Sequence, residues 1–121
     1  MGKAGVISHK GKSIFYMDFS GIKSTDEVSQ LISESKRYIG TQPASSLLTL
    51  TNITQMHFNN EIKDLFTTFV KGNKPYVKAG AVVGISGLQG IVYNAIMKLT
   101  GRNVKSMSSL DEAKDWLSLQ A

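Results

Sequence analysis

The alternation of apolar and polar positions is most sharply drawn over Val77–Gly101, VKAGAVVGISGLQGIVYNAIMKLTG. Its first part, Val77–Ile85, is small, apolar and β-branched with one charge near the start. That is the pattern of a strand buried on both faces, as in a parallel sheet covered by helices. Ser86-Gly87 breaks the run. From Leu88 the apolar positions 88, 92, 95, 96 and 99 follow helical spacing, and Gly101 supplies a stop. A strand, a tight turn and a helix are therefore predicted at the centre of an α/β domain.

The same reading extends in both directions. Val6–Lys10 and Ser13–Phe19 read as two strands joined at Lys10-Gly11-Lys12. In the second, Phe15, Met17 and Phe19 form a cleaner core face than Ile14, Tyr16 and Asp18. Ser24-Thr25-Asp26-Glu27 is a capping box opening a helix whose inward stripe is Val28, Leu31, Ile32, Ser35 and Ile39, with Gly40 and Pro43 ending it. Ser46–Ile53 reads as a strand. A second helix starts near Asn59 or Asn60, turns Ile62, Leu65, Phe66, Phe69 and Val70 inward, and stops at Gly72 before Pro75. After the central unit come a short strand around Asn103–Met107 and a last helix. A second capping box, Ser109–Glu112, opens that helix, which buries Ala113, Trp116 and Leu117.

The order is ββαβαβαβα: a single α/β domain over residues 1–121 with a mixed, mostly parallel five-stranded sheet and four helices. A chain of this length builds one core. The hydrophobic share of 41% and charged share of 19% are those of an ordinary globular protein. No cysteine is present, which removes disulfides, thiolate nucleophiles and cysteine metal sites. No apolar run approaches the roughly 20 residues of a membrane span, and the first residues lack the apolar stretch of a signal peptide. A cytoplasmic location is expected, and the sequon Asn52-Ile53-Thr54 is then coincidental. The net charge of +5 is spread over Lys10 and Lys12, Lys36 and Arg37, Lys71 and Lys74, and Lys98, Arg102 and Lys105. Several of these fall in last turns of helices, where they complement the helix dipole. Without aromatic residues interleaved among them, no nucleic-acid platform is indicated.

Few residues suggest chemistry. His9 and His57 lack the companions a metal site needs, so no metal or other cofactor is implied. His9 reads as a surface residue of an edge strand. His57 lies in the loop after the third strand, at the carboxyl end of the sheet where α/β folds bind ligands. It reads first as an ordinary loop histidine and second as a ligand or partner contact. Gly84-Ile85-Ser86-Gly87-Leu88 has Leu where a nucleophile elbow needs its second glycine, and no histidine follows His57. Gly84, Gly87 and Gly90 match neither the dinucleotide fingerprint nor a P-loop. Their structural role is a tight turn and a close helix–sheet approach, although a helix N-terminus there could also hold an anion. On the third helix Ile91, Tyr93 and Met97 are apolar at positions expected to point outward, which suggests an interface.

The stretches IFYMDFSGIKSTDEV, SLLTLTNIT, GNKPYVKAGAVVGISGLQGIVYNAIMKLTGRN and LDEAKDWL resemble the small bacterial SpoIIAA-like (STAS/SEC14-like) proteins, over roughly residues 13–118. The resemblance implies a non-catalytic α/β module. Better-understood relatives are anti-sigma-factor antagonists switched by serine phosphorylation, and SEC14-type relatives bind lipids in an apolar pocket. The antagonists' Asp-Ser-Ser-Gly-Leu motif is replaced here by His57-Phe58-Asn59-Asn60-Glu61, with Phe58 at the phosphorylated position, so that switch is absent. A chain of 121 residues leaves little room for a lipid pocket beyond its core. The leading expectation is a regulatory or protein–protein interaction module that self-associates as a homodimer through Ile91, Tyr93 and Met97. The alternative is a binding module for a small anionic or lipid-like ligand at the strand carboxyl ends. That site would use Thr54, His57, Phe58, Asn59, Ser86, Gly87 and Gln89.

Overall fold

A two-residue turn begins the sheet. Lys10 and Gly11 both have positive φ, 50° and 79°, and His9 pairs with Lys12 across them. This is the turn whose twist matches that of an antiparallel hairpin. It joins β1 (Lys3–His9) to β2 (Lys12–Asp18). The computed structural model describes residues 2–120, leaving aside the side chain of Leu88, so the inward placement expected for Leu88 lies outside the described residues. The remaining elements follow in the expected order: α1 (Thr25–Ile39), β3 (Leu47–Asn52), α2 (Asn60–Asn73), β4 (Val77–Val83), α3 (Leu88–Thr100), β5 (Lys105–Met107) and α4 (Leu110–Ser118).

The strands lie in the sheet in the order of the chain, β1-β2-β3-β4-β5, with β1 antiparallel and the rest parallel. Right-handed crossovers that always step to the next strand in one direction put every crossover helix on one face. Hence α1, α2 and α3 cover one side of the sheet, and only the nine-residue α4 covers the other. Two cores result. The larger holds Phe15, Met17, Phe19, Val82 and the buried sides of the three helices; the smaller packs Ala113 and Leu117 on Ile14, Leu50, Ala81 and Val83. The Phe15, Met17 and Phe19 face is thus the inner face of β2. Trp116, expected to be buried, is half-exposed at the edge of the smaller core.

Helix starts obey their caps. The hydroxyls of Ser24 and Ser109 accept from the backbone N–H of Glu27 and Glu112, at 3.4 and 3.1 Å. The Glu112 carboxylate reaches one residue beyond the box and accepts from the Ser108 hydroxyl at 2.6 Å. Asn59 caps α2 by accepting from Ile62 N–H at 2.8 Å. Helix α2 runs one residue past Gly72 to Asn73, because that glycine remains helical and the turn into Pro75 comes later.

The carboxyl ends of β3 and β4 are locked by a close backbone approach. Gly84 has φ +93°, and a Cβ there would lie 2.6 Å from the Thr54 Cα. A side chain at Gly84 is excluded twice, by conformation and by space. Gly11 also has positive φ but faces open space. Gly84→Ala should therefore lower stability by about 2–4 kcal/mol and Gly11→Ala by about 1 kcal/mol. Urea unfolding midpoints give the comparison, and equal shifts would contradict the close approach.

Candidate functional site

The inner face of β3 departs from the usual composition of a buried sheet. In Leu47–Asn52, LLTLTN, the residues facing α2 and α3 include Thr49 and Thr51. Threonine fills less space than the Leu or Ile that would complete the layer. Beside Thr49, β4 offers Gly80, with no side chain at all; a Cβ there would lie 2.9 Å from the Thr49 hydroxyl. The sheet thus dips under α2 and α3, and the helices do not fill the dip. A partly open cavity of about 80 Å³ remains. Its walls are Ile53 and Val82 from the sheet, Phe66 and Phe69 from α2, and Val92, Tyr93, Ile96 and Met97 from α3.

The two ends differ in character. At the carboxyl ends of the strands the cavity is bounded by Phe58 and Gln89. Phe58 is half-buried, its ring centroid 6.2 Å from that of Phe66. Gln89 donates from its amide to the Met56 carbonyl at 3.1 Å and accepts from Ser86 N–H at 3.2 Å, lacing one loop to the next. At the other end, where the helices finish and the strands begin, lie Asn73, Thr49 and Arg102. The Arg102 guanidinium donates to the Val70 carbonyl in the last turn of α2, at 2.8 Å. It therefore complements a helix dipole, as expected of the basic residues at helix ends, but that of α2 and not of its own helix. Burial lowers the Arg102 pKa from its ordinary value, and no carboxylate among the described residues comes within ion-pair distance of it.

The predicted site residues separate into three groups. Phe58 and Gln89 reach the cavity. Thr54 and Asn59 are engaged in structure: the Thr54 N–H and hydroxyl donate to the Asn52 side chain at 3.1 and 2.6 Å, and Asn59 caps α2 while donating to the Thr25 hydroxyl at 3.2 Å. His57, Ser86 and Gly87 are exposed in the two loops. The His57 backbone N–H donates to the Ile22 carbonyl at 2.9 Å, and Gly87, with φ +56°, precedes α3 without a side-chain cap.

Helix α3 is rotated from its expected orientation. Tyr93 and Met97, expected outside, pack against the larger core, whereas Leu99, expected inside, is 63% exposed; Ile91 is outside as expected, 68% exposed. The reason is the segment entering β5. Tyr93 donates its hydroxyl to the Val104 carbonyl, and Val104 N–H donates to the Met97 sulfur at 3.3 Å. Two side chains that read as apolar surface thus satisfy the backbone just before a three-residue edge strand.

Arg102, Thr49, Thr51 and Asn73 were not among the predicted site residues. One available signal was charge: residues 65–110 contain Lys71, Lys74, Lys78, Lys98, Arg102 and Lys105 and no Asp or Glu. The other was Thr at alternate positions of a strand otherwise filled with Leu. His9, read as a surface residue, is partly buried and meets Asp115 of α4 at 2.7 Å, with Lys10 at 3.0 Å from the same carboxylate. Hydrogen bonds from His9 and then Lys10 hold the Asp115 carboxyl below its ordinary pKa. Among the described residues no three His, Cys, Asp or Glu gather as metal ligands, and no helix is long and apolar enough to cross a membrane.

Five strands in chain order, three helices on one face and one short helix on the other can be compared with solved folds. A crystal structure at 2.25 Å of an uncharacterised DUF3478 family protein from Shewanella loihica PV-4, described as having a SpoIIAA-like fold, superposes with a TM-score of 0.73. The match covers 96% of this chain and 93% of that one. The fold is SpoIIAA-like. At 14% identity the likeness carries the architecture and nothing about activity. No protein-family model matches the sequence, and no curated protein matches it.

The Tyr93 hydrogen bond within this SpoIIAA-like domain has a measurable worth. Burial raises the Tyr93 pKa above its ordinary value. The stability contributed by the neutral phenol is complete below about pH 10 and is lost as pH rises through the higher folded-state value. Tyr93→Phe should cost about 1–3 kcal/mol at neutral pH. It should also lessen the fall in stability on the alkaline side. Urea unfolding at neutral pH and at about pH 11 tests both; an unchanged neutral midpoint would remove the role given to the hydroxyl.

Proposed function

We propose that this SpoIIAA-like domain is a non-catalytic binding module that takes a small, largely apolar molecule into the cavity between the sheet and α2 and α3. The observation that carries this reading is Thr49 and Thr51 on β3, with Gly80 of β4 beside Thr49, under a helix pair that does not close over them. Interiors are packed to crystal density, so a space lined by Val82, Phe66, Val92 and Ile96 is a departure that costs stability unless something occupies it. An engineered apolar cavity of about 150 Å³ takes up benzene. The cavity here is smaller, about 80 Å³, and partly open. It suits a chain of a few carbons, or the end of a longer one.

The reading moves the ligand from the loops at the strand carboxyl ends to the space beneath them. Gln89 ties those loops together, Thr54 is bound within its own turn by Asn52, and Phe58 and Gln89 remain as one wall of the cavity. It also replaces self-association as the leading reading. With Tyr93 and Met97 turned inward, only Ile91 of the three expected interface residues remains exposed.

Titration of the 15N-labelled protein with hexan-1-ol, followed by NMR, provides the test. Amide shifts should concentrate at Thr49, Val82, Val92 and Ile96. Val92→Phe, which fills the cavity from α3, should weaken the interaction at least about tenfold while leaving the dispersed spectrum of a folded protein. Ile91→Glu, on the outer face of the same helix, should leave binding unchanged. Shifts scattered over the exposed loops, or binding indifferent to Val92→Phe, would overturn the proposal.

A further inference from the structure

The cavity has a charged end, and among the described residues no carboxylate answers that charge. Arginine carries five N–H donors and stays protonated. Among the described residues the Arg102 side chain donates one hydrogen bond, to the Val70 carbonyl. A carbonyl at a helix end offers a partial charge, so the guanidinium is positioned by α2 without being neutralised. Among the described residues no carboxylate lies within ion-pair distance, and the segment that supplies Asn73 and Arg102, residues 65–110, has no acidic residue.

Space is kept for the same group. Gly80 lies beneath it: a Cβ at that position would come 3.6 Å from Arg102 Nη2 as well as against Thr49. Thr49 and Asn73 are buried and border the cavity at this end, and their side chains make no hydrogen bond to the described residues. Buried polar groups ordinarily find partners, and a buried charge almost always does. Arg102 is only partly buried, and the polar side-chain atoms of Thr49 and Asn73 are not sealed from solvent. The three groups thus face the open cavity with one hydrogen bond made among them and donors and acceptors to spare for a guest. Lys74 adds to the field, its ammonium 3.4 Å from where a Cβ on Gly101 would lie.

We infer that the ligand of this cavity is amphipathic: an apolar chain lies between the sheet and α3, and an anionic oxygen group is held by Arg102 with Thr49 and Asn73. This rests on the reading of the cavity as a binding site and adds the chemistry of the head group. A planar carboxylate accepts two parallel N–H bonds from one guanidinium, and a phosphate monoester can do the same. The shared chemistry is an anion at the end of a short alkyl chain. Its position is the amino-terminal end of the strands, opposite to the loops where α/β sheets usually bind.

The probes are hexanoate, hexyl phosphate and hexan-1-ol, titrated into the same labelled protein at equal ionic strength. One or both anions should bind at least about tenfold more tightly than the alcohol, and the tighter of the two identifies the head group. Arg102→Gln should erase that preference, so that both anions bind no more tightly than hexan-1-ol does to the same variant. Arg102→Lys, which keeps the charge but not the fork, should retain a reduced preference and serves where the glutamine variant does not fold. If the alcohol binds as well as both anions, or the preference survives both substitutions, the head-group assignment is overturned and the apolar cavity stands. If none of the three probes binds the folded wild-type protein, the cavity reading fails and this inference with it.

Discussion

The handedness of the strand connections governs everything else in this molecule. Each parallel crossover steps to the neighbouring strand in the same direction, so α1, α2 and α3 must all lie on one face. The three helices finish near the starts of the strands. That arrangement collects helix carboxyl termini, and the residues just beyond them, at one end of the sheet. Arg102 follows α3 and reaches the last turn of α2 because both helices were brought there by the same rule. The other face receives α4 alone, whose nine residues set Ala113 and Leu117 on Ile14, Leu48, Leu50, Ala81 and Val83.

Within that frame, side-chain volume on two adjacent strands determines whether the helix layer seals. β4 brings Gly80 beside Thr49 of β3, and Thr51 continues the deficit along the same face. The helices above are held at their own ends by other contacts. Gln89 ties the start of α3 to the Met56 carbonyl, and Tyr93 and Met97 tie its later turns to Val104. A helix fixed in this way cannot settle into the dip. The opening is thus a product of two independent constraints, one in the sheet and one around the helix.

Most of the architecture could be read from the chain because its punctuation is local. Capping serines, the Lys10-Gly11 turn and Pro75 act on their immediate neighbours, and the elements they bound matched expectation to within a few residues. The orientation of α3 could not be read in this way. Its residues are apolar nearly all round, so periodicity offers no unique inward face, and the choice fell to two backbone groups of Val104 in the irregular segment that follows the helix. For the same reason the polar end of the cavity went unread. Arg102 looks like a cation at a helix end until it is known that the helix is α2. Phe58 and Gln89 were legible because loops at strand carboxyl ends are general candidates, whereas Thr54 and Asn59 in those same loops turned out to serve the turn and the cap.

The absence of acidic residues between positions 65 and 110 also affects how anything reaches the protein. Six basic side chains lie in that segment, while the rest of the chain carries eight against nine acidic ones. The charge is therefore uneven along the chain, positive over residues 65–110 and near neutral elsewhere. A negatively charged visitor is drawn toward that positive segment before touching it, over a range of about 8 Å at physiological ionic strength and farther in dilute salt. Its encounter rate should fall as salt rises, whereas an uncharged visitor's should not. The distribution of charge thus acts on how fast partners arrive, a property separate from how firmly the cavity holds them.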